Sequence, residues 1–205
     1  MKTREQAEIG IKQVLRYRWM AAAARMAAAG MDEGAMRAAL HETLRVEDEE
    51  GGKVRSAQTR TFAVHNLVRI WGASAEPLRA AALAVLSESA GMGPGTALAV
   101  HWSMTAVAYP FWAETAAQIG RLLTLQEAAT QVQIVQRLRE RYGDRPTVGR
   151  YARYVIRAMV DWEVLCDAPR RGVYARADPL VVNVRAAALL AGVGGQRAAL
   201  FAFVM

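Results

Sequence analysis

"VGRYARYVIRAMVDWEVL", residues 148–165, reads as a helix with two unlike faces. Val148, Tyr151, Ala152, Val155, Ile156 and Met159 recur at three- and four-residue spacing and form an apolar stripe. Arg150, Arg153, Tyr154 and Arg157 recur at the same spacing on another side. A charged helix face is ordinarily just solvated, and Asp161 stands four residues after Arg157, where an ion pair would absorb that charge. The segment after the helix shifts the reading toward a negatively charged partner. "EVLCDA" (163–168) and "GVYARA" (172–177) are short β-prone segments joined by "PRR" (169–171) ahead of a glycine, the pattern of a hairpin. Upstream, residues 128–142 carry a helical pattern that "GDRP" (143–146) breaks just before the quoted helix. Helix, break, helix, hairpin is the order of elements in a winged helix-turn-helix.

In that architecture the second helix enters the major groove and its exposed face meets bases and phosphates. Val148, Tyr151, Val155 and Met159 then belong to the small core. The DNA-binding candidates are Arg150, Arg153, Tyr154 and Arg157 on the outer face, with Arg170 and Arg171 at the hairpin tip as the wing. Arg145, just before the helix, is placed to touch backbone phosphate near a helix N-terminus, whose free amides also attract anions. Most such contacts position a protein rather than read sequence. Five arginines on phosphates (Arg150, Arg153, Arg157, Arg170, Arg171) would give a log–log salt slope of roughly −4 to −5. Cys166 falls in the first wing strand and is expected to be buried.

The charge balance points the same way. The chain of 205 residues carries a net charge of +7. Residues 1–120 hold 13 Lys or Arg against 12 Asp or Glu, whereas residues 121–185 hold 12 Arg against 7 acids, so the excess sits in the C-terminal third. A basic balance favours polyanions without choosing among them. Hydrophobic residues make up 53% of the chain and charged residues 22%, which excludes a disordered chain, and the long alanine-rich segments predict a mainly α fold. The one cysteine, Cys166, allows no internal disulfide. "MKTREQAEIG" at the start is too charged for a signal peptide. Residues 89–113 lack Asp, Glu, Lys and Arg, but "GMGPG" and Pro110 leave only about 14 residues of apolar helix, short of the ~20 a membrane span needs. A cytoplasmic protein with no membrane partner is expected.

The remaining segments fill in a helical body. Helices are expected over 5–29, ending at Gly30; 32–46, running into an acidic turn "EDEEGGK"; and 56–71. Further helices are expected after Ser74 as an N-cap, and over 96–108 and 111–125. The expected organisation is a helical bundle over 1–125, a winged helix-turn-helix with a short β-hairpin wing over 126–185, and a C-terminal helical tail over 186–205 that packs back on the body. His41, His65 and His101 have no metal-ligand spacing, and "GMGPG" lacks the Lys-Ser or Lys-Thr of a phosphate loop. "EDEE" (47–50) can hold a cation, but such a run is ordinarily a solvated loop. The aromatics of "HWSMTAVAYPFW" (101–112) read as core. No catalytic constellation stands out, so no enzyme activity, metal or cofactor is expected.

"HWSMTAVAYPFWAETAAQIGRLLTLQ" (101–126) followed by "QRLRERYGDRPTVGRYARYVIRAMVDWEVL" (136–165) resembles the BrxA family of bacterial BREX phage-defence systems. The match lies in layout: an aromatic helix with a mid-chain Tyr-Pro-Phe, then a helix-turn-helix ending in a "DWEVL" entry into the wing. It covers roughly residues 98–185. The resemblance implies a small helical DNA-binding accessory protein without enzymatic activity, encoded beside other defence components. The alanine-rich helices and the apolar tail "AALFAFVM" (198–205) depart from that family. Two other readings stand beside it. One is a structural subunit that docks on other defence-system proteins through the aromatic region and the tail; the other is a transcriptional regulator of its own operon.

Overall fold

A computed structural model describes residues 9–50, 55–88, 94–179 and 181–194. Among these residues the chain forms nine helices and one three-stranded antiparallel sheet. The helices of the N-terminal part are α1 (Tyr17–Ala28), α2 (Glu33–Glu50), α3 (Ala57–Trp71), α4 (Glu76–Glu88), α5 (Pro94–Ala108) and α6 (Pro110–Leu125). Then come β1 (Ala128–Thr130), α7 (Gln131–Tyr142), α8 (Pro146–Asp161), β2 (Leu165–Asp167), β3 (Val173–Arg176) and α9 (Val184–Gly194). No helix among the described residues is long and apolar enough to cross a membrane.

The centre of the body is α5, which is apolar all round and buried from Leu98 to Ala106. A helix hydrophobic on every side has to be covered on every side, and α1, α3, α4, α6 and α9 pack against it. Pro110 cannot continue α5 and is tolerated as the first residue of α6. At that joint the Tyr109 hydroxyl donates to Asn66 Oδ1 at 2.9 Å, which ties the α5–α6 bend to α3. All five tryptophans are buried, and Trp102, Trp112 and Trp162 meet ring to ring at 5.0–6.4 Å. Through Trp162 one hydrophobic cluster joins the helical body to α7, α8 and the sheet.

Several elements differ from their sequence-based bounds, each for a physical reason. Among the described residues the first helix begins at Tyr17, and residues 9–16, expected to be helical, run as a strap; residues 5–8 of the expected helix lie outside the described residues. Ile11 and Leu15 of the strap are buried, Leu15 O accepts from Trp162 Nε1 at 2.9 Å, and Asp161 accepts from the Tyr17 amide at 2.8 Å and from Arg16 at 2.6 Å. These distant partners offer the segment more than a further helical turn would. Gly30, at φ 72°, stops α1 as expected. The second helix continues to Glu50, so "EDEE" is its last turn and not a loop. Ser74 does not cap α4; its hydroxyl is buried without a hydrogen-bond partner, and the helix starts at Glu76 with Pro77 in its first turn. The tail's α9 lies on α5 and α4, while "AALFAFVM" lies outside the described residues.

Candidate nucleic-acid interface

The sheet organises the C-terminal part. Its strand order is β1-β3-β2, with Ala129 opposite Tyr174 and Cys166 opposite Ala175. The hairpin of β2 and β3 is therefore present, but its partner β1 was not expected. "AAT" has little β preference of its own, and it pairs because β3 offers an open edge. Directly after β1, Thr130 Oγ1 accepts from the Gln133 amide at 3.1 Å while Gln133 Oε1 accepts from the Thr130 amide at 2.8 Å, a reciprocal capping box that starts α7.

Helix α7 ends at Gly143, whose φ of 82° only glycine adopts without strain, and Pro146 opens α8 three residues later. The buried side of α8 holds Val148, Ala152, Val155, Ile156 and Met159, as the spacing predicts. Arg150, Arg153 and Arg157 are exposed on the other side. Tyr154 is half-buried rather than fully outward: it packs on the core and stacks on half-buried Tyr151, with ring centroids 6.0 Å apart. Arg150 lies over the Tyr151 ring at 5.7 Å. Arg145 is also half-buried, and its Nε donates to Tyr142 O at 3.1 Å, closing a carbonyl at the end of α7.

At the hairpin, the Ala168 amide donates to Val173 O at 2.9 Å, and Gly172 turns the chain at φ 76°. Arg170 and Arg171 project from this turn and are exposed. The Gln131 amide donates to Gly172 O at 2.8 Å, so the turn is anchored beside the first residue of α7. The two arginine pairs thus belong to one packed unit, α8 carrying Arg150 and Arg153 and the anchored turn carrying Arg170 and Arg171.

Arg157 is different. Its Nη1 donates to both carboxylate oxygens of Asp167 at 2.7 Å, bridging α8 to β2. The Asp167 carboxylate, helped by Tyr174, holds the guanidinium still more firmly in its charged form. The intrahelical pair with Asp161 does not form, because Asp161 holds Arg16 and the start of α1. Asp167 carried no signal in the sequence; its partner comes from a neighbouring element. Cys166 is exposed, contrary to expectation, since β2 buries Leu165 and turns the next side chain outward. Arg137 on α7 is a further exposed arginine of this part.

The other candidates take structural roles. Glu47 accepts from Arg18 Nε at 3.0 Å and from Trp19 Nε1 at 2.7 Å. Asp48 is 2% exposed and pairs with Arg55 and, at 3.2 Å, with Arg60. Burial works against the Glu47 carboxylate, but the bonds from Arg18 and Trp19 and the Arg18 and Arg55 charges outweigh it and lower its pKa. These two acids of "EDEE" therefore hold guanidinium groups of the fold. His101 is buried, and desolvation pushes its pKa down to about 3. Among the described residues no group of three or more His, Cys, Asp or Glu is placed to hold a metal ion. Trp102, Tyr109, Phe111 and Trp112 are all buried, so the aromatic region is not presented to a docking partner.

The chain matches no protein-family model, no curated protein and no solved structure.

Proposed function

We propose that residues from α6 to β3 form a winged helix-turn-helix and that the protein binds duplex DNA through it, with α8 in the major groove and the β2–β3 turn as the wing. The element order supports this reading: helix, strand, helix, helix, hairpin, with the first strand on the outer edge of β3. The observation that carries it is one of pairing. Arg150, Arg153, Arg170 and Arg171 are exposed, and among the described residues none of them has a carboxylate partner. Bare like charges on one packed unit repel one another, and a polyanion relieves that repulsion. The resemblance to the BrxA family extends the proposal to a non-enzymatic accessory of a BREX-like phage-defence system.

The test is fluorescence anisotropy with a labelled duplex of mixed sequence across a salt series. With Arg157 held by Asp167, four arginines remain for phosphate, and the expected log–log slope is about −3.6. Changing Arg150, Arg153, Arg170 and Arg171 to Ala removes the binding while the melting temperature holds. A wild-type slope near zero sinks the proposal. An accessory binds mixed sequences; a regulator of its own operon would instead hold one upstream site at least ~1,000-fold tighter than a random duplex.

A further inference from the structure

Of the four bare arginines on α8 and the hairpin turn, Arg150 is the one whose head is braced. Its guanidinium carbon lies 5.7 Å from the centre of the Tyr151 ring, within reach of a cation–π contact. Adjacent residues do not face each other on a helix, so the arginine swings sideways off its own direction to reach that ring. Tyr151 is itself fixed: it stacks on Tyr154 with ring centroids 6.0 Å apart and planes at 25°, and both tyrosines are half-buried against the hydrophobic core. A line of packing therefore runs from the core through two rings to one guanidinium. The side chains of Arg153, Arg170 and Arg171 have no ring, acid or hydrogen-bond partner among the described residues.

The brace leaves the hydrogen-bonding capacity of Arg150 unspent. A ring attracts the cation through its charge, and the guanidinium keeps its N–H donors in a fixed planar fork. Arg150 makes no side-chain hydrogen bond among the described residues. A donor pair already held in place meets two acceptors at a lower entropic cost than a free side chain does. In the major groove guanine presents two acceptors side by side, O6 and N7, whereas adenine sets a donor beside its single acceptor. Position adds a separate argument. Arg150 is the fifth residue of α8, which starts at Pro146, and the N-terminal residues of a recognition helix are the ones that reach base edges.

We propose that Arg150 is the residue that reads sequence: braced by Tyr151 and Tyr154, it bonds to O6 and N7 of a guanine, and the duplexes held best carry a G·C pair at that one position. This target rests on the DNA-binding reading of α8. On other sequences Arg150 finds a phosphate as its neighbours do. Arg153, Arg170 and Arg171 position the protein through phosphates and carry no sequence information. Tyr151 and Tyr154 are positioning residues that act through Arg150. One bidentate contact selects about tenfold, far less than the ~1,000-fold of a regulator tied to a single site. A protein of this kind holds many sequences and favours some of them mildly.

The probe is a pool of duplexes randomised across the bound stretch and selected by the full chain. Anisotropy on the preferred duplex and on its single-pair replacements then measures the preference. The expected result is one G·C pair whose change to A·T weakens binding about tenfold, with a salt slope shallower by about 0.9 than on a mixed-sequence duplex. Arg150→Ala abolishes the preference at that pair, whereas Arg153→Ala weakens binding to every sequence and leaves the preference intact. Tyr151→Phe keeps the ring and the preference; Tyr151→Leu keeps apolar packing, loses the ring and lowers the preference. On the DNA side, carbon in place of N7 in that guanine weakens the wild type and does not affect Arg150→Ala. A pool with no preferred pair, or a preference that survives Arg150→Ala, overturns the proposal, and an undiminished preference in Tyr151→Leu overturns the brace. Failure of the DNA-binding reading looks different: no duplex binds at all, and this target falls with it.

Discussion

Two sets of arginines in this molecule have opposite surroundings. In the body, Arg18, Arg55 and Arg60 converge on Glu47 and Asp48 at the end of α2, and Asp48 is almost wholly enclosed. In the C-terminal part, Arg150, Arg153, Arg170 and Arg171 face solvent without an acid among the described residues. A charge count treats the two sets alike; the pairing separates them. An arginine whose charge is consumed by a buried carboxylate holds the fold together, whereas one left bare has charge to offer a partner. The comparison breaks most readily at Asp48. Replacing it with Ala strands Arg60 and leaves Arg55 only Glu47 at 3.3 Å, and the expected loss is about 3 kcal/mol, the lower end for breaking a buried pair. Urea unfolding measures this directly, and a loss below about 1 kcal/mol would make the knot at α2 no more than a surface cluster.

His101 differs from both sets: its charge is suppressed by burial rather than consumed by a partner or offered to one. Its pKa lies near 3 in the fold against 6.5 ordinarily. Below about pH 6.5 the unfolded chain takes up a proton that the folded chain refuses. The stability this group preserves at neutral pH is therefore lost as pH falls from 6.5 toward 3, at about 1.4 kcal/mol per unit in that window. Carboxylates such as Asp48 add their own acid lability, so the quantity to measure is the difference between wild type and His101→Leu. Between about pH 6 and pH 4.5 the variant should lose stability less steeply by about that slope. Parallel curves would mean that His101 is protonated in the fold and has a partner after all.

How much of this was legible in the sequence depends on where each partner lies. The buried face of α8 could be read because Val148, Val155 and Met159 recur with the helix period, and the hairpin because Gly172 ends a turn between two β-prone segments. Both signals are local. What escaped depends on contacts far along the chain. β1 pairs because β3 has a free edge 43 to 47 positions later, from the register of Thr130 with Val173 and Ala128 with Ala175. The strap over 9–16 stays extended because Asp161 and Trp162 hold it across 144 to 147 residues. Glu47 of "EDEE" finds Arg18 and Trp19 nearly thirty positions upstream. For the candidate interface, the outward arginines were visible in the periodicity, but which of them were already spoken for was not.

That last distinction yields the smallest and sharpest effect. Arg157 occupies the same face as Arg150 and Arg153, yet Asp167 claims it at 2.7 Å from two oxygens. The pair is about half exposed on both sides, 49% and 53%, so it contributes little to folding. Replacing Asp167 with Asn keeps the shape and removes the charge, and stability should change by less than about 1 kcal/mol. DNA binding should respond more clearly, because a freed Arg157 joins the four bare arginines and one acidic charge leaves the face. The salt slope should steepen by about 0.9, toward −4.5, with tighter binding at low salt. If wild type binds DNA and Asp167→Asn leaves the slope at about −3.6, then Arg157 lies off the contact surface and the groove-facing part of α8 is its first two turns alone. If the slope steepens, the ion pair is what keeps a fifth phosphate contact in reserve, and the strength of DNA binding is set by an acid on the hairpin as much as by the arginines of the helix.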